Sequence, residues 1–467
     1  MSNQKKKVKS KIAIKPHLLP VEERKNTFKE VNLGYIDEKE AIEECERCYQ
    51  CYKKRDPKVK PPPCMEQCPT HCNSREIIQN ILDGNVDEAL KIVYDHYAFP
   101  KSVERICPGF CQTHCTAGKK GDPIQIPHLK RYFVDHHGVP KDYFKCEPDT
   151  GKKVAIIGSG PLGLTAAYFL RKLGHEATVF EKLGVIGGML AVGIPEFRLP
   201  KAILNEEIEN LKKLGIIFVI NKGYNKEFNY QKIFESGFDA ILLGIGTHKS
   251  KWMKIPGEEG KGVLHAINFL RNYNLQKDMP DVSGKKIAVV GGGSSATDAA
   301  RVAKRLGADV FIVYRRQKEQ MPAGEVEIHH TEEEGIPINF LTNPTAIICI
   351  NDEVVGIKCI KMRLGEEDAS GRPRPIPIEN SYFKKDAVFM IEAISQEPDL
   401  SDFDKNKFEI NRWNTFEVNE NYSTSVPGVF AGGDCVTGPK SVVDAVAQGK
   451  KIAKKIHKFL GFENEES

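Results

Sequence analysis

No run of apolar residues in this chain approaches the length of a membrane span, and its N-terminus has no apolar stretch of the kind that opens a secretory signal. These absences predict a cytoplasmic protein without membrane attachment. They also remove disulfides as the reason for thirteen cysteines. A large excess of either charge is lacking: the formal net charge is +5 over 467 residues. The tail holding Lys5, Lys6, Lys7, Lys9 and Lys11 has neither interleaved aromatics nor a basic helix, so it reads as a solvated arm and not a nucleic-acid surface. Beyond residue 150 no two cysteines stand in C-x2-C or C-x4-C spacing, which excludes the redox pair of a disulfide reductase.

What is present is an ordinary globular composition, 40% hydrophobic and 28% charged, in a chain long enough for two or three domains. The cysteines are concentrated: nine of the thirteen lie between Cys45 and Cys115. Asp37 is positioned as an N-cap with Glu40 at the capping-box position, starting a helix that runs through Ala41, Ile42 and Glu44. Then come Cys45-x2-Cys48-x2-Cys51, an insertion ending Pro61–Pro62–Pro63, and Cys64-x3-Cys68–Pro69-x2-Cys72. A helical stretch from Ser74 to about Tyr97 separates these from Cys107–Pro108-x2-Cys111-x3-Cys115. Such spacings let one loop place several thiolates around an iron–sulfur cube, whereas an all-thiolate zinc site needs only four cysteines. Two 4Fe–4S clusters are expected, with zinc as the competing reading.

Two dinucleotide fingerprints follow. The β-branched run Val154–Ile157 leads into Gly158–Ser159–Gly160–Pro161–Leu162–Gly163 and an apolar helical pattern. That is a strand, a tight turn and a helix N-terminus, which together hold a pyrophosphate. The next strand ends in Glu181, followed by Lys182, where a carboxylate can accept from a ribose hydroxyl. The glycine-rich stretch through Gly188–Met189, then Gly193–Pro200 with Arg198, is expected to pass beside a flavin, as is the crossing Gly244–Thr247. The second fingerprint, Gly291–Gly292–Gly293–Ser294–Ser295–Ala296–Thr297, has alanine in the third glycine's place. Its following strand ends in Arg315–Arg316, guanidinium forks that suit a 2′-phosphate. The contrast with Glu181 places FAD at the first fingerprint and NADPH at the second. Gly433–Asp434 and the helix start at Ser441–Val442 are expected to complete the flavin site.

The expected fold is α/β: two Rossmann-like, glutathione-reductase-like FAD and NADPH domains preceded by an α-helical iron–sulfur domain. The expected boundaries are a basic flexible tail over 1–25, the iron–sulfur domain over 26–150, and the FAD domain over 151–282 and 395–467. The NADPH domain is expected as an insertion over 283–394. No side-chain acid, base or nucleophile is expected for the hydride step, whose catalysis is the orientation of two bound cofactors.

With these motifs in place the chain resembles the small (beta) subunit of NADPH-dependent glutamate synthase, a family related to the N-terminal half of dihydropyrimidine dehydrogenase and the large subunit of electron-bifurcating transhydrogenase. The resemblance rests on Phe28–Tyr35, Cys48-x2-Cys51 with Cys68–Pro69–Thr70–His71, Tyr314–Arg315–Arg316 with Met321–Pro322, and Phe430–Asp434. It implies one cluster on Cys48, Cys51, Cys64 and Cys115. A second would sit on Cys68, Cys107 and Cys111 with an acid or amide oxygen beyond the last cysteines. That position is Lys130 here, and an ammonium cannot ligate iron. Cys72 is therefore expected to replace the oxygen ligand, with Cys45 the weaker candidate. The resemblance further implies an electron-input subunit serving a large glutamate synthase subunit, since no element for glutamine or 2-oxoglutarate is evident. The alternative is an NAD(P)H:ferredoxin-type or electron-bifurcating subunit serving another electron-accepting protein.

Overall fold

The computed structural model describes residues 9–52, 60–368 and 371–463. Lys5, Lys6 and Lys7, and part of the insertion between Cys51 and Cys64, lie outside the described residues. From residue 9 the expected flexible tail is instead packed. His17–Leu18 pairs antiparallel with Asn32–Gly34, the Ala13 amide donates to Asp122 at 3.0 Å, and Arg24 pairs with Glu333 at 2.7 Å. Buried Arg24 and Ala13 explain the difference: they give the segment side chains that are removed from water.

The cysteine-rich region is helical: α1 (Glu38–Glu46), α2 (Ser74–Leu82), α3 (Val86–Tyr94), α4 (Pro100–Ile106) and α5 (Ile126–His137). Asp37 caps α1 by accepting from the Lys39 amide at 2.6 Å. Glu40 does not complete a capping box; its carboxylate takes His17 at 2.8 Å. The helical stretch after Cys72 is two helices, because Gly84 turns the chain at φ +78°. Their apolar stripes, Ile77, Ile78 and Ile81 on α2 with Leu90 and Val93 on α3, are buried together.

The first fingerprint strand, β1 (Lys153–Ile157), is followed by α6 (Pro161–Lys172), β2 (Glu176–Phe180), α7 (Lys201–Lys213), β3 (Ile217–Val219) and β4 (Ala240–Leu243). The chain then passes through β5 (Val263–His265) and α8 (Ala266–Leu275) to the second fingerprint strand β6 (Lys286–Val290), α9 (Ser294–Arg305), β7 (Asp309–Val313), α10 (Glu325–Glu333) and β8 (Ile338–Asn339). An antiparallel sheet of β9 (Thr342–Ile350), β10 (Glu353–Glu367) and β11 (Pro373–Lys385) precedes β12 (Phe389–Glu392). Last come β13 (Val429–Ala431) and α11 (Val442–Phe459).

Two parallel five-stranded sheets result, ordered β13-β4-β1-β2-β3 and β8-β7-β6-β12-β5. Their central strands are buried on both faces, as their unbroken apolar runs require. The C-terminal β13 joins the first sheet beside β4, so that sheet is split in sequence. The second sheet takes in β5, about twenty residues before the expected boundary at Ser283. β5 holds parallel register with β12, Val263 opposite Met390, a pairing of segments far apart in the chain. Helix α11 lies on α6, where Gly449 lets the two backbones meet: a Cβ there would stand 2.7 Å from the Leu162 carbonyl oxygen.

Candidate functional site

Backbone sterics separate the three glycines of the first fingerprint. Gly158 has φ +106°, and a Cβ on it would come within 2.4 Å of the Gly244 oxygen on the neighbouring crossing. A Cβ on Gly163 would come within 2.0 Å of the Gly158 oxygen, so this glycine lets α6 settle on β1. Gly160 meets nothing within 4 Å; its missing side chain leaves open space at the start of α6. The second fingerprint repeats this. Gly291 has φ +147° and abuts the Ala393 oxygen, whereas Gly293 is open. Neither α6 nor α9 has a side-chain N-cap, so both present unsatisfied N–H groups to that space.

Both helix starts face one continuous cleft of about 2310 Å³. On its walls stand Gly158, Ser159, Gly160, Pro161, Glu181, Lys182, Gly188, Met189, Arg198, Thr247, Gly433, Asp434, Ser441 and Val442 on the flavin side. Gly291, Gly293, Ser294, Ser295, Arg315 and Arg316 line the other. Of the expected residues, Gly163 and Thr297 are packed away from the cleft, and the Thr297 hydroxyl donates within its own helix to the Ser294 carbonyl at 3.0 Å.

Glu181 organises the flavin side. Its Oε2 accepts from the Ser159 amide at 3.0 Å and from the Ser159 hydroxyl at 2.5 Å, and Oε1 accepts from the Leu183 amide at 2.8 Å. The Ser159 hydroxyl in turn accepts from the Gly187 amide at 2.9 Å, holding the glycine-rich stretch against the fingerprint. A carboxylate has about four lone-pair sites, so acceptor capacity remains for a ribose hydroxyl. Asp434 begins a short helix, accepts from the Lys440 amide at 3.1 Å, and is pushed up to about 6 by burial and then by Asp444. Ser441 and Asp444 form a capping box at the start of α11, on the same wall.

The two arginines after β7 do different things. Arg316 is buried, donating to Asp368 at 2.6 Å and to the Pro373 carbonyl at 2.8 Å. Arg315 stands exposed on the cleft wall, its guanidinium without a side-chain partner among the described residues. Arg372, carried in by the turn between β10 and β11, stands near it on the same wall and was not anticipated from sequence. Its only sequence signal was the run Gly371–Arg372–Pro373–Arg374.

Arg198 lines the cleft, but its guanidinium is taken by Asp298 of α9 at 2.7 Å and by Glu327 of α10. It works as a tie between the two dinucleotide regions. Sequence reasoning also missed Glu392 at the carboxyl end of β12, a buried acid on the cleft wall. Burial and the neighbouring Glu258 push its carboxyl up to about 8. An acid ending an otherwise apolar central strand was the available signal.

The thiols gather in two places. Cys48, Cys51, Cys64 and Cys115 ring a small cavity walled by Pro62, Pro63, Ile78, Ala117, Ile124 and Ile126. Burial pushes Cys48 up to about 11 and Cys64 to about 12, so their ionisation calls for a cation among them. Among the described residues, no three His, Cys, Asp or Glu side chains converge as closely as a single ion requires. The second place holds Cys68, Cys72, Cys107 and Cys111 with Glu104, Lys130 and Tyr97. The Cys68 sulfur lies 3.1 Å from the Thr70 hydroxyl, and Cys107 and Glu104 both reach the wall of the dinucleotide cleft. Cys45 is buried in the core beside Ala41.

The residues present fit the groups that the motifs imply. Open glycine cradles and uncapped helix starts suit pyrophosphates, and Lys182, Arg271, Arg315, Arg372 and Lys440 on the wall match polyanionic dinucleotides. The ring of buried thiols suits an iron–sulfur cube.

Tandem nucleotide-binding sheets sharing a cleft, behind a cysteine-rich helical module, define a class of two-dinucleotide oxidoreductases. The chain belongs to the pyridine nucleotide-disulphide oxidoreductase family, which residues 148–449 match. Residues 24–140 match the 4Fe–4S cluster domain II of dihydropyrimidine dehydrogenase. The similarity to glutamate synthase small chains holds over nearly the whole length: the NADPH small chain of Escherichia coli K12 is 32% identical over 468 residues, 96% of this chain and 97% of that one. The beta subunit of NADP(+)-dependent formate dehydrogenase from Moorella thermoacetica is 39% identical over 425 residues, 85% of this chain, which spans only 60% of that subunit. Mycobacterium tuberculosis FprA, solved with NADPH, shares the fold with a TM-score of 0.57 at 19% identity, covering 66% of this chain and 84% of FprA. Among the described residues no helix is long and apolar enough to cross a membrane.

Proposed function

We propose that this chain is an NADPH-oxidising flavin and iron–sulfur subunit that feeds electrons to a larger glutamate synthase subunit. The observation that carries the reading is the single cleft onto which both fingerprints open and on whose wall Cys107 stands. When bound, the dinucleotides supply hydride chemistry and the clusters one-electron chemistry.

The chain's own residues bind and orient. Gly160 and Gly293, with the helix starts behind them, take the two pyrophosphates. Glu181 and Asp434 would accept from hydroxyls of the flavin dinucleotide, and Thr247, Met189 and Val442 stand on the same wall to hold it. Arg315, joined by Arg372, takes the 2′-phosphate that separates NADPH from NADH. Arg198 fixes the two regions against each other, which for a hydride step is the main lever on rate. Cys48, Cys51, Cys64 and Cys115 would hold the cluster further from the cleft, and Cys68, Cys107 and Cys111, with Cys72 as the expected fourth ligand, the nearer one.

A second reading keeps this chemistry but sends the electrons to a ferredoxin-type or other acceptor. It is favoured by Lys130 at the position of an expected ligand, and by the closer sequence identity to a formate dehydrogenase subunit. Anaerobic NADPH titration of the purified protein, followed by EPR with and without candidate partners, tests both readings. Flavin bleaching followed by cluster signals is the expected result, and co-purification of an amidotransferase-sized or a ferredoxin-type partner separates the two. A preparation without flavin, or one that NADPH does not bleach, overturns them together.

A further inference from the structure

Glu392 is the buried acid to which the proposed function gives no task. Its side chain has no exposure, yet it stands on the wall of the dinucleotide cleft. Among the described residues no N–H or hydroxyl donates to either carboxylate oxygen. Buried carboxylates are ordinarily well supplied with donors, as Glu207 is by the Lys101 amide, the Ser102 amide and the Ser102 hydroxyl. The one basic group beside Glu392 among the described residues is the His265 imidazole. Its Nδ1 lies 3.4 Å from Oε2, longer than an N–H···O bond, and has no hydrogen-bond partner of its own. Burial holds that imidazole below its ordinary value, so it carries no charge at neutral pH. The other neighbour, Glu258, is a second carboxyl, which can bond Glu392 only by sharing a proton and does not stand on the cleft wall.

The topology says what arrives there. The second sheet runs β8-β7-β6-β12-β5, so the chain leaves the fingerprint strand β6 toward β7 on one side, while β12 and β5 close the other. A dinucleotide at such a reversal lies across it, its pyrophosphate at the start of α9 and its two nucleoside halves on either side. Arg315, just past β7, takes the adenosine half through the 2′-phosphate. The nicotinamide half then falls over β12 and β5. Those strands end at Glu392 and His265, opposite each other in parallel register. The residue after Glu392 carries the carbonyl against which Gly291 of the fingerprint packs. His265 reaches the same wall, with the Trp252 ring edge-on to it at 4.5 Å. Ribose hydroxyls and carboxamide N–H groups make this half of the molecule rich in donors, and Glu392 is an acceptor lacking them.

Resting on the NADPH reading, we infer that Glu392 is the acceptor for the nicotinamide riboside half of NADPH, taking hydrogen bonds from its ribose hydroxyls or its carboxamide N–H. It fixes the half of the nucleotide that Arg315, on the far side of the fingerprint, does not reach. In either protonation state the carboxyl keeps an oxygen that can accept. Glu392 is a positioning residue: it takes neither proton nor hydride, and no covalent bond forms or breaks.

The test is isothermal titration calorimetry of the FAD-loaded protein with NADP+ and with adenosine 2′,5′-bisphosphate, which carries the 2′-phosphate but no nicotinamide riboside. Glu392→Met removes both oxygens and leaves a side chain of similar length suited to burial. It is expected to bind NADP+ about 10–100-fold more weakly while binding the bisphosphate as wild type does. Its melting temperature is expected to be no lower than that of wild type, because the acid it replaces has no donors to lose. Glu392→Gln keeps an acceptor oxygen and is expected to recover most of the NADP+ affinity. Arg315→Ala, by contrast, is expected to weaken both ligands together. Undiminished NADP+ affinity in Glu392→Met, equal weakening of both ligands there, or a melting temperature well below wild type overturns the inference. A wild type that binds neither ligand would instead overturn the NADPH reading itself.

Discussion

Arg198 and Asp298 meet at 2.7 Å across the two dinucleotide regions, one from the glycine-rich stretch of the first and the other from α9 of the second. Asp298 is buried and Arg198 largely withdrawn from water, and Glu327 completes the contact. Replacing Arg198 by alanine strands two carboxylates, and breaking a buried pair in this way costs about 3–5 kcal/mol. The expected result is a lower melting temperature together with NADPH-dependent flavin reduction slowed about 10–100-fold, as misorientation of reactants predicts. Stopped-flow absorbance at the flavin band, on samples matched for FAD content, measures the second effect.

Gly160→Ala and Gly163→Ala separate binding from folding. The new methyl at 160 meets only open cradle, so the protein is expected to fold normally and retain FAD about 100-fold more weakly, which corresponds to about 2.7 kcal/mol. At 163 the methyl would stand 2.0 Å from the Gly158 oxygen, so α6 must move off β1 and the fold itself should lose stability. Equilibrium dialysis of FAD and thermal melting of the FAD-free proteins distinguish the two outcomes.

The paired arginines after β7 are expected to give unlike phenotypes. Arg315→Ala should raise KM for NADPH about 10–100-fold while leaving NADH oxidation unchanged, the signature of a lost phosphate contact worth about 1.5–3 kcal/mol. Arg316→Ala should instead loosen the hairpin held through Asp368 and lower the melting temperature, with less effect on the ratio of the two nucleotides. Steady-state kinetics with both nucleotides decides the matter.

Glu334 gives an acid-dependent prediction. Burial alone would raise its carboxyl, but the Arg305 and Arg301 guanidiniums outweigh burial and hold it down from 4.5 to about 2. A carboxyl lowered in the folded state stabilises above its unfolded pKa, and that support is lost as pH falls from about 4.5 toward 2. The shift is worth about 3 kcal/mol. Glu334→Gln is therefore expected to be markedly less stable than wild type at pH 7, with the gap closing progressively below pH 4.5. Melting temperatures of both proteins across that range provide the check.

Much of the site could be read in the sequence because it is written in local backbone sterics. The strand, tight turn and helix start around Gly158, Gly160 and Gly163 lie within ten residues, and the structure shows that turn at Gly158 and close helix packing at Gly163. The Asp37 cap was equally local. What escaped depended on segments far apart in the chain. Arg372 reaches the cleft only because β10 and β11 form a long hairpin, whose register breaks at bulges no short-range pattern announces. Arg198 stands on the cleft wall as expected, but its ties to Asp298 and Glu327, a hundred residues and more downstream, were not legible. β5 joins the second sheet through β12, a pairing that apolar character alone does not specify.

The amides at the start of α4 are gripped by Glu207, which follows Ser102 by 105 positions. During synthesis that grip cannot exist until α7 has left the ribosome, so α4, the helix that leads into Cys107, waits on a polypeptide still to be made. A chain ending before residue 207 would have made every cysteine from Cys45 to Cys115 and still lack the carboxylate that holds these two amides.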